Sequence, residues 1–331
     1  MILWIGLALA GTPMVVQQGD TVTALADRLG DPDLAEAIRT LNELHTDELE
    51  PGQILLIPGP GSEAREARVV SLSGQGSVTL ASGERLNLVT GAPLPTGATV
   101  CVDEDAFATI RLSVALDSPN HDDVALFPQT CLSVDALTAE PGRRSSLIRV
   151  ATGEVSVISV DDDPGTVTVV TPTAVATGDA GGFRVAVEEG ATRTEAVSHD
   201  VTVYGEGARL DLAAGQATRI AEGSAPEAPT MLLRAGVLVR PEDGSVLRAP
   251  DFRWTEIRRA LYYRVEIATS PDFAEVVVAQ TVPTESWDPG RLYVPYRVPG
   301  LWWRVAPIDK VGFVGVPSEP SFLSFPAGVG P

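Results

Sequence analysis

Few residues in this sequence are equipped for covalent chemistry. The three histidines, His45, His121 and His199, lie in separate polar contexts, and none neighbours a cysteine. Cys101 and Cys131 sit in Val- and Leu-rich runs without a histidine or second cysteine at ligand spacing, which argues against zinc and thiol catalysis. No Gly-x-Ser-x-Gly elbow, His-Glu-x-x-His pair or Ser-His-Gly-Cys run is present. Any two acids can meet in space, but pairs such as Glu188-Glu189 fall where solvated turns are expected. The run Asp117–Asp123 has hard oxygens suited to calcium, although such runs are more often solvated loops. The expectation is no catalytic residue, no metal and no cofactor. Binding chemistry remains. Gly19, Asp20, Thr21 and Val22 precede a helical run, and Leu49, Glu50, Pro51, Gly52, Gln53 and Ile54 form a Pro-Gly turn. Backbone N–H and C=O groups exposed at such places can pair with the polar groups of a ligand. Val22, Leu49 and Ile54 offer apolar contact for a methyl group.

The elements that position these loops are short. Val15-Val16 and Ile54–Ile57 are apolar runs bounded by Gly and Pro, as in strands. Between them Ala24, Leu25 and Leu29, then Leu34, Ile38 and Leu41, recur at helical spacing. Asp20 and Thr21 are N-cap types, Gly30 suits a helix end, and Pro32-Asp33 opens the second helix. The pattern predicts strand-helix-helix-strand around a small core.

This stretch, 14–58, resembles a LysM module. The residues that carry the resemblance are Gln18-Gly19-Asp20-Thr21-Val22, Leu41-Asn42 and Pro51–Pro58. Met14 stands where a Tyr is common, and Thr23-Ala24 where an aromatic-Ser pair often sits. The resemblance implies a shallow groove for N-acetylglucosamine-containing glycan between Gly19–Val22 and Leu49–Ile54. Peptidoglycan or a related polymer is then the expected partner.

Composition narrows the class. The chain has 331 residues, long enough for two or three domains, and its 44% hydrophobic and 21% charged content is that of a folded protein. With 31 Gly, 26 Pro and long Val/Thr-rich stretches, many short strands and turns are expected. The formal net charge is -20, and Lys310 is the single lysine, so nucleic acid and anionic polymers are poor partners. Residues 1–10 are wholly apolar and end in Ala8-Leu9-Ala10, a cleavage-like signature. They are too short to span a bilayer. A signal-peptide-like segment over 1–13, and hence export to the periplasm or envelope, is the expectation; an extra N-terminal strand is the alternative. In an oxidising compartment Cys101 and Cys131 would be bridged, worth about 3–4 kcal/mol in the chain-entropy model, with two buried thiols as the other reading.

A linker over 59–67 leads into an all-β region, 68–220. It resembles the periplasmic domain of FecR-type proteins through Arg149–Val157, Val170–Ala176, Gly181–Val185 and Leu212–Thr218. The Asp179–Phe183 step and the 117–123 loop depart from that pattern. A second linker, 221–230, precedes 231–326, which resembles a fibronectin type III-like sandwich. Its marks are Phe252-x-Trp254, Tyr263-x-Val265-x-Ile267, Pro271-Asp272-Phe273 and Gly300–Val305, with a tail at 327–331. Alternation makes one of Trp302 and Trp303 core and turns the other outward. The whole reads as a multidomain, mainly β protein that is not an enzyme. It binds glycan and carries two β domains as platforms, with a possible envelope protein partner through 68–326 and no transmembrane span. The alternative reading is a periplasmic sensor whose FecR-like domain receives a protein.

Overall fold

The computed structural model describes residues 12–42, 44–57, 67–113, 121–140, 143–159, 165–178, 182–246, 251–290 and 298–325. The apolar segment 1–10, most of the first linker and most of the 117–123 run lie outside them. The N-terminal unit is β1 (Thr12–Val15), α1 (Val22–Leu29), α2 (Leu34–Leu41) and β2 (Ile54–Ile57). β1 and β2 pair antiparallel, from Thr12 opposite Ile57 to Val15 opposite Ile54. Thr12 and Pro13 are thus part of this fold, ahead of the expected start at residue 14. Thr21 caps α1, its hydroxyl accepting the Ala24 N–H at 3.1 Å, and Gly30 ends it at φ +86°. The second helix is opened by Asp31, whose carboxylate accepts the Asp33 N–H at 3.0 Å, rather than by Asp33 itself. Val22, Leu25, Ala26, Ile38, Leu55 and Ile57 form the core. Each large apolar side chain so enclosed stabilises the fold by about 1.5–3 kcal/mol, and there are few of them. Asn42 therefore matters: its amide donates to the carbonyls of Ile38 (2.8 Å) and Leu56 (2.7 Å) and accepts from the Leu56 N–H (2.7 Å), tying α2 to β2.

The middle unit is a continuous set of 17 strands between Ala67 and Met231. It folds into two layers because the long strand Arg143–Ser159 takes part in both. Ser145–Arg149 pairs parallel to Thr166–Val170, while Gly153–Val157 pairs antiparallel to Phe183–Val187. The core between the layers takes Val100, Val134, Val169 and Val203 from one and Ile110, Val124, Val185 and Ile220 from the other. Cys101 and Cys131 stand opposite each other on paired strands and are bonded, closing a sequence separation of 30. The strand Thr230–Met231 pairs with Gln216-Ala217, so the second linker ends inside this sheet.

The C-terminal unit has two further sheets. Leu238–Arg240, Phe252–Trp254 and Ser286–Trp287 form one of three strands. The other has five, in the order Ser245–Val246, Ser321–Ser324, Gly300–Ile308, Tyr262–Ala268 and Val276–Val282. Phe252, Trp254, Tyr263 and Trp303 fill the space between, with Phe252 and Trp303 edge to face at 4.9 Å. Trp302 points the other way, as strand alternation requires, but contrary to expectation it is not at the surface: it is half-buried against a cluster of Phe107, Phe127 and Phe273 between the units.

That second face is charged and buried. Arg264 forks onto Glu154 of the middle unit, Arg304 donates to Glu266 at 2.7 Å, and Arg184 reaches the carbonyls of Val314 and Gly315 at 3.2 and 3.3 Å. Glu195 accepts from Arg193 at 2.9 Å and from the Val314 N–H at 3.1 Å. Burial works to raise the Glu154 carboxyl, but the adjoining Arg264 overrides it and holds the group below the usual range. Glu266 is likewise buried, yet Arg304, Arg184 and Arg264 bring it down to about 2. For Glu195 burial wins and the group is pushed up, against the pull of Arg193. The acids near residue 188 were expected in a solvated turn. Glu189 is exposed, whereas Glu188 pairs with Arg193 and Arg219.

Candidate binding site

The two candidate loops are stitched together by the backbone. Gly19, at φ +90°, turns the chain so that Asp20 accepts the Gln17 N–H at 2.9 Å and takes Arg28 at 3.0 Å. The Gln17 N–H, and then Arg28, hold the Asp20 carboxyl below its ordinary value. Thr21 bridges Glu48, and the Val22 N–H donates to the Asp47 carbonyl at 3.1 Å. The Asp47 carboxylate accepts from the Thr23 N–H (3.0 Å), the Thr23 hydroxyl (2.8 Å) and Arg39 (2.9 Å). Thr23 first, then Arg39, keep Asp47 ionised below its usual range. On the other side the Gly52 N–H donates to the Val16 carbonyl and the Val16 N–H to that of Gln53, at 2.9 and 2.8 Å. Gln53 closes its own turn through the Glu50 N–H at 3.1 Å.

Of the named residues, Gly19, Glu50 and Pro51 are exposed and Asp20, Thr21, Leu49, Gly52, Gln53 and Ile54 are half-buried. Val22 is the exception. At 0% exposure it belongs to the core of the N-terminal unit and offers no surface to a ligand, contrary to the expectation from sequence. Periodicity places a residue on a helix; it does not say whether the first turn faces out. Leu49 leans on the same core, and Ile54 packs with Leu56 against Leu147, Val170 and Val175 of the middle unit.

That last contact has a consequence for the second loop. One flank of Glu50–Ile54 is bonded to Val16, but the other forms a wall of a cleft of about 470 Å³ shared with the middle unit. The facing wall is the turn Thr171–Ala174, and the hairpin tip Glu206-Gly207 and Gly223-Ser224 close the ends. Gly52 and Gly207 meet backbone to backbone: a Cβ on Gly207 would lie 2.7 Å from the Gly52 carbonyl oxygen. Sequence reasoning missed Asp47, Thr173, Glu206 and Ser224. The pair Glu206-Gly207 between two apolar runs was a readable hairpin signal, but its neighbour in space was not.

His45 and His199 are exposed, and the His199 Nδ1 lies 3.2 Å from the Ser198 hydroxyl at an open turn. His121 lies 3.7 Å from Asp123, which Arg111 also holds. Among the described residues no group of three His, Cys, Asp or Glu side chains could hold a metal ion. No described helix is long and apolar enough to cross a membrane.

No curated protein matches the chain. Among solved structures, two crystal structures of a Parabacteroides distasonis ATCC 8503 protein, provisionally named an anti-sigma factor, are similar at 13% and 15% identity. Each aligns with a TM-score of 0.32, over 40% of this chain and 59% of the other, so the chain spans less than two thirds of that protein. The LysM domain model matches residues 14–58. The strand-helix-helix-strand unit that carries both candidate loops is therefore a LysM domain.

Proposed function

We propose that this chain is a non-catalytic, exported envelope protein that binds N-acetylglucosamine-containing glycan, peptidoglycan or a related polymer, through its LysM domain. One observation carries the reading: the LysM match covers both candidate loops, the first of which is bonded to Asp47-Glu48 just ahead of the second, while the second is bonded to Val16 just ahead of the first. The ligand groups would be amides and hydroxyls meeting backbone donors and acceptors. A single small site of this kind binds weakly, at about −4 kcal/mol for a millimolar dissociation constant, and retention on a polymer comes from its repeated sites. The middle and C-terminal units act as platforms. Their FecR-type and fibronectin type III-like character rests on the sequence resemblances, and the 3-plus-5 strand order of the C-terminal unit is compatible with the second. Export is supported by the LysM domain and the disulfide.

The full chain, mixed with purified sacculi or insoluble chitin, is expected to sediment with them at low and high salt alike, because a net charge of -20 gives no electrostatic attraction to lose. Protein left in the supernatant would end the glycan reading.

A further inference from the structure

We infer that the cleft between the LysM domain and the middle unit is a second sugar subsite, one that accepts the adjoining residue of a glycan and favours neutral or ammonium-bearing amino sugars over carboxylate-bearing ones. This rests on the glycan reading above and extends it. The loop Glu50–Ile54 is common to the candidate groove and to the cleft, so a chain lying on one flank of that loop has the other within reach. The cleft, at about 470 Å³, is at the small end of the size of small-molecule sites.

Its chemistry is selective. Glu50 and Glu206 both line it, and no lysine, arginine or histidine does. Neither carboxylate has an ion-pair partner among the described residues. Exposed, unpaired acids at the rim of a concave site attract donors: sugar hydroxyls, amide N–H groups and, most strongly, a free ammonium as in glucosamine. They repel a second carboxylate. The presentation of Glu206 is also unusual. It occupies the first central position of the two-residue turn between Val201–Gly205 and Ala208–Leu212 at φ +44°, where Gly, Asn or Asp is the ordinary choice. Glutamate is an uncommon occupant of the left-handed region, and such residues concentrate where a ligand is clamped.

The walls are fixed relative to each other. Gly52 at φ +90° and Gly207 at φ +69° touch without side chains, and Ile54 and Leu56 bury themselves against Val170 and Val175 beneath them. The cleft is thus present before any ligand arrives, which spares the entropy of assembling it.

Calorimetry on the full chain tests this with N-acetylglucosamine oligomers of two to six residues, the same hexamer with one terminal residue deacetylated, and hyaluronan oligomers as the carboxylate-bearing series. Glu206→Asn removes the carboxylate and relieves the turn, so the fold is kept. Ser224→Trp places a ring at the exposed mouth of the cleft. For the wild type, affinity should rise from trimer to hexamer, rise further with the singly deacetylated hexamer, and not rise with hyaluronan length. Each variant should lose about fivefold on the hexamer, roughly one hydrogen bond at a solvated site, and bring it down to the trimer. Variants that bind the hexamers as the wild type does, or a wild type that prefers hyaluronan, overturn the subsite while leaving the LysM reading intact. A wild type that binds no oligomer at any length overturns both.

Discussion

Arg264→Met is the sharpest probe of how the two β units are held together. The guanidinium lies 5.1 Å from the Phe127 ring centroid and makes two bonds to Glu154, one of 2.9 Å, across the interface. The two side chains are only 12% and 13% exposed. Removing one partner of such a pair leaves a desolvated charge behind, at a cost of about 3–5 kcal/mol. Arg184 and Arg193 also act on Glu154 and would partly compensate, which puts the expectation at the lower end, about 3 kcal/mol. That is roughly a hundredfold change in the equilibrium of the C-terminal unit. Four of the five tryptophans, all but Trp4, lie between residues 254 and 303, so fluorescence during urea unfolding is dominated by that unit. The double variant Arg264→Met with Glu154→Gln removes the stranded charge and should recover at least half of the loss. A single variant costing under about 1 kcal/mol, as an exposed pair would, contradicts the argument. So does a double variant no more stable than the single.

Asn42→Ala leaves the Leu56 N–H and C=O without their partner and should cost the LysM domain about 2–3 kcal/mol, enough to lower its own melting step and weaken glycan retention without touching a sugar; amide exchange of β2 would show it. Reducing the Cys101–Cys131 bond, or changing both residues to Ser, should remove about 3–4 kcal/mol, seen as a lower melting temperature by circular dichroism. Trp303→Ala empties a site with 0% exposure and should cost about 3–5 kcal/mol in the C-terminal unit, read by urea unfolding. Glu266 lies at about 2 in the folded chain against an ordinary 4.5, so its contribution is present above the ordinary value and is lost as pH falls toward 2. Glu195, pushed up, works in the opposite sense, favouring the fold at low pH and losing that contribution as pH rises. Glu266→Gln should therefore flatten the acid side of the stability curve, and an unchanged slope would count against this account.

Much of the LysM domain was legible because its signals are local. Helical spacing of Leu25, Leu29, Leu34 and Ile38, a glycine at the end of α1 and the Gly-Asp-Thr and Pro-Gly-Gln turns each act within a few residues of chain. Alternation likewise separated Trp303 from Trp302. Non-local contacts were harder. The run Ile54-Leu55-Leu56-Ile57 is apolar on both faces, which in a strand means that both faces are covered; Leu55 and Ile57 take the LysM core and Ile54 and Leu56 the middle unit. The strand Ala191–Ala196 carries Arg193 and Glu195 and reads as half-solvated, yet it is buried throughout. Its charges are answered by Gly312 and Val314, more than a hundred positions away, which no window of sequence displays.

The same docking changes what a single LysM domain can do. On a flexible tether, such a domain would meet its polymer in any orientation and contribute only its own weak contacts. Here β2 is shared between two cores, and the loop beyond it is pinned by Gly52 against Gly207. A glycan held by that loop must then lie in a set direction against the Thr171–Ala174 turn and the Glu206 tip. The C-terminal unit contacts a different face of the middle unit, through Arg184, Glu195 and Arg264, and none of its described residues lines the cleft. If the cleft takes a sugar as proposed, the β units are part of the recognition surface and not only its carrier.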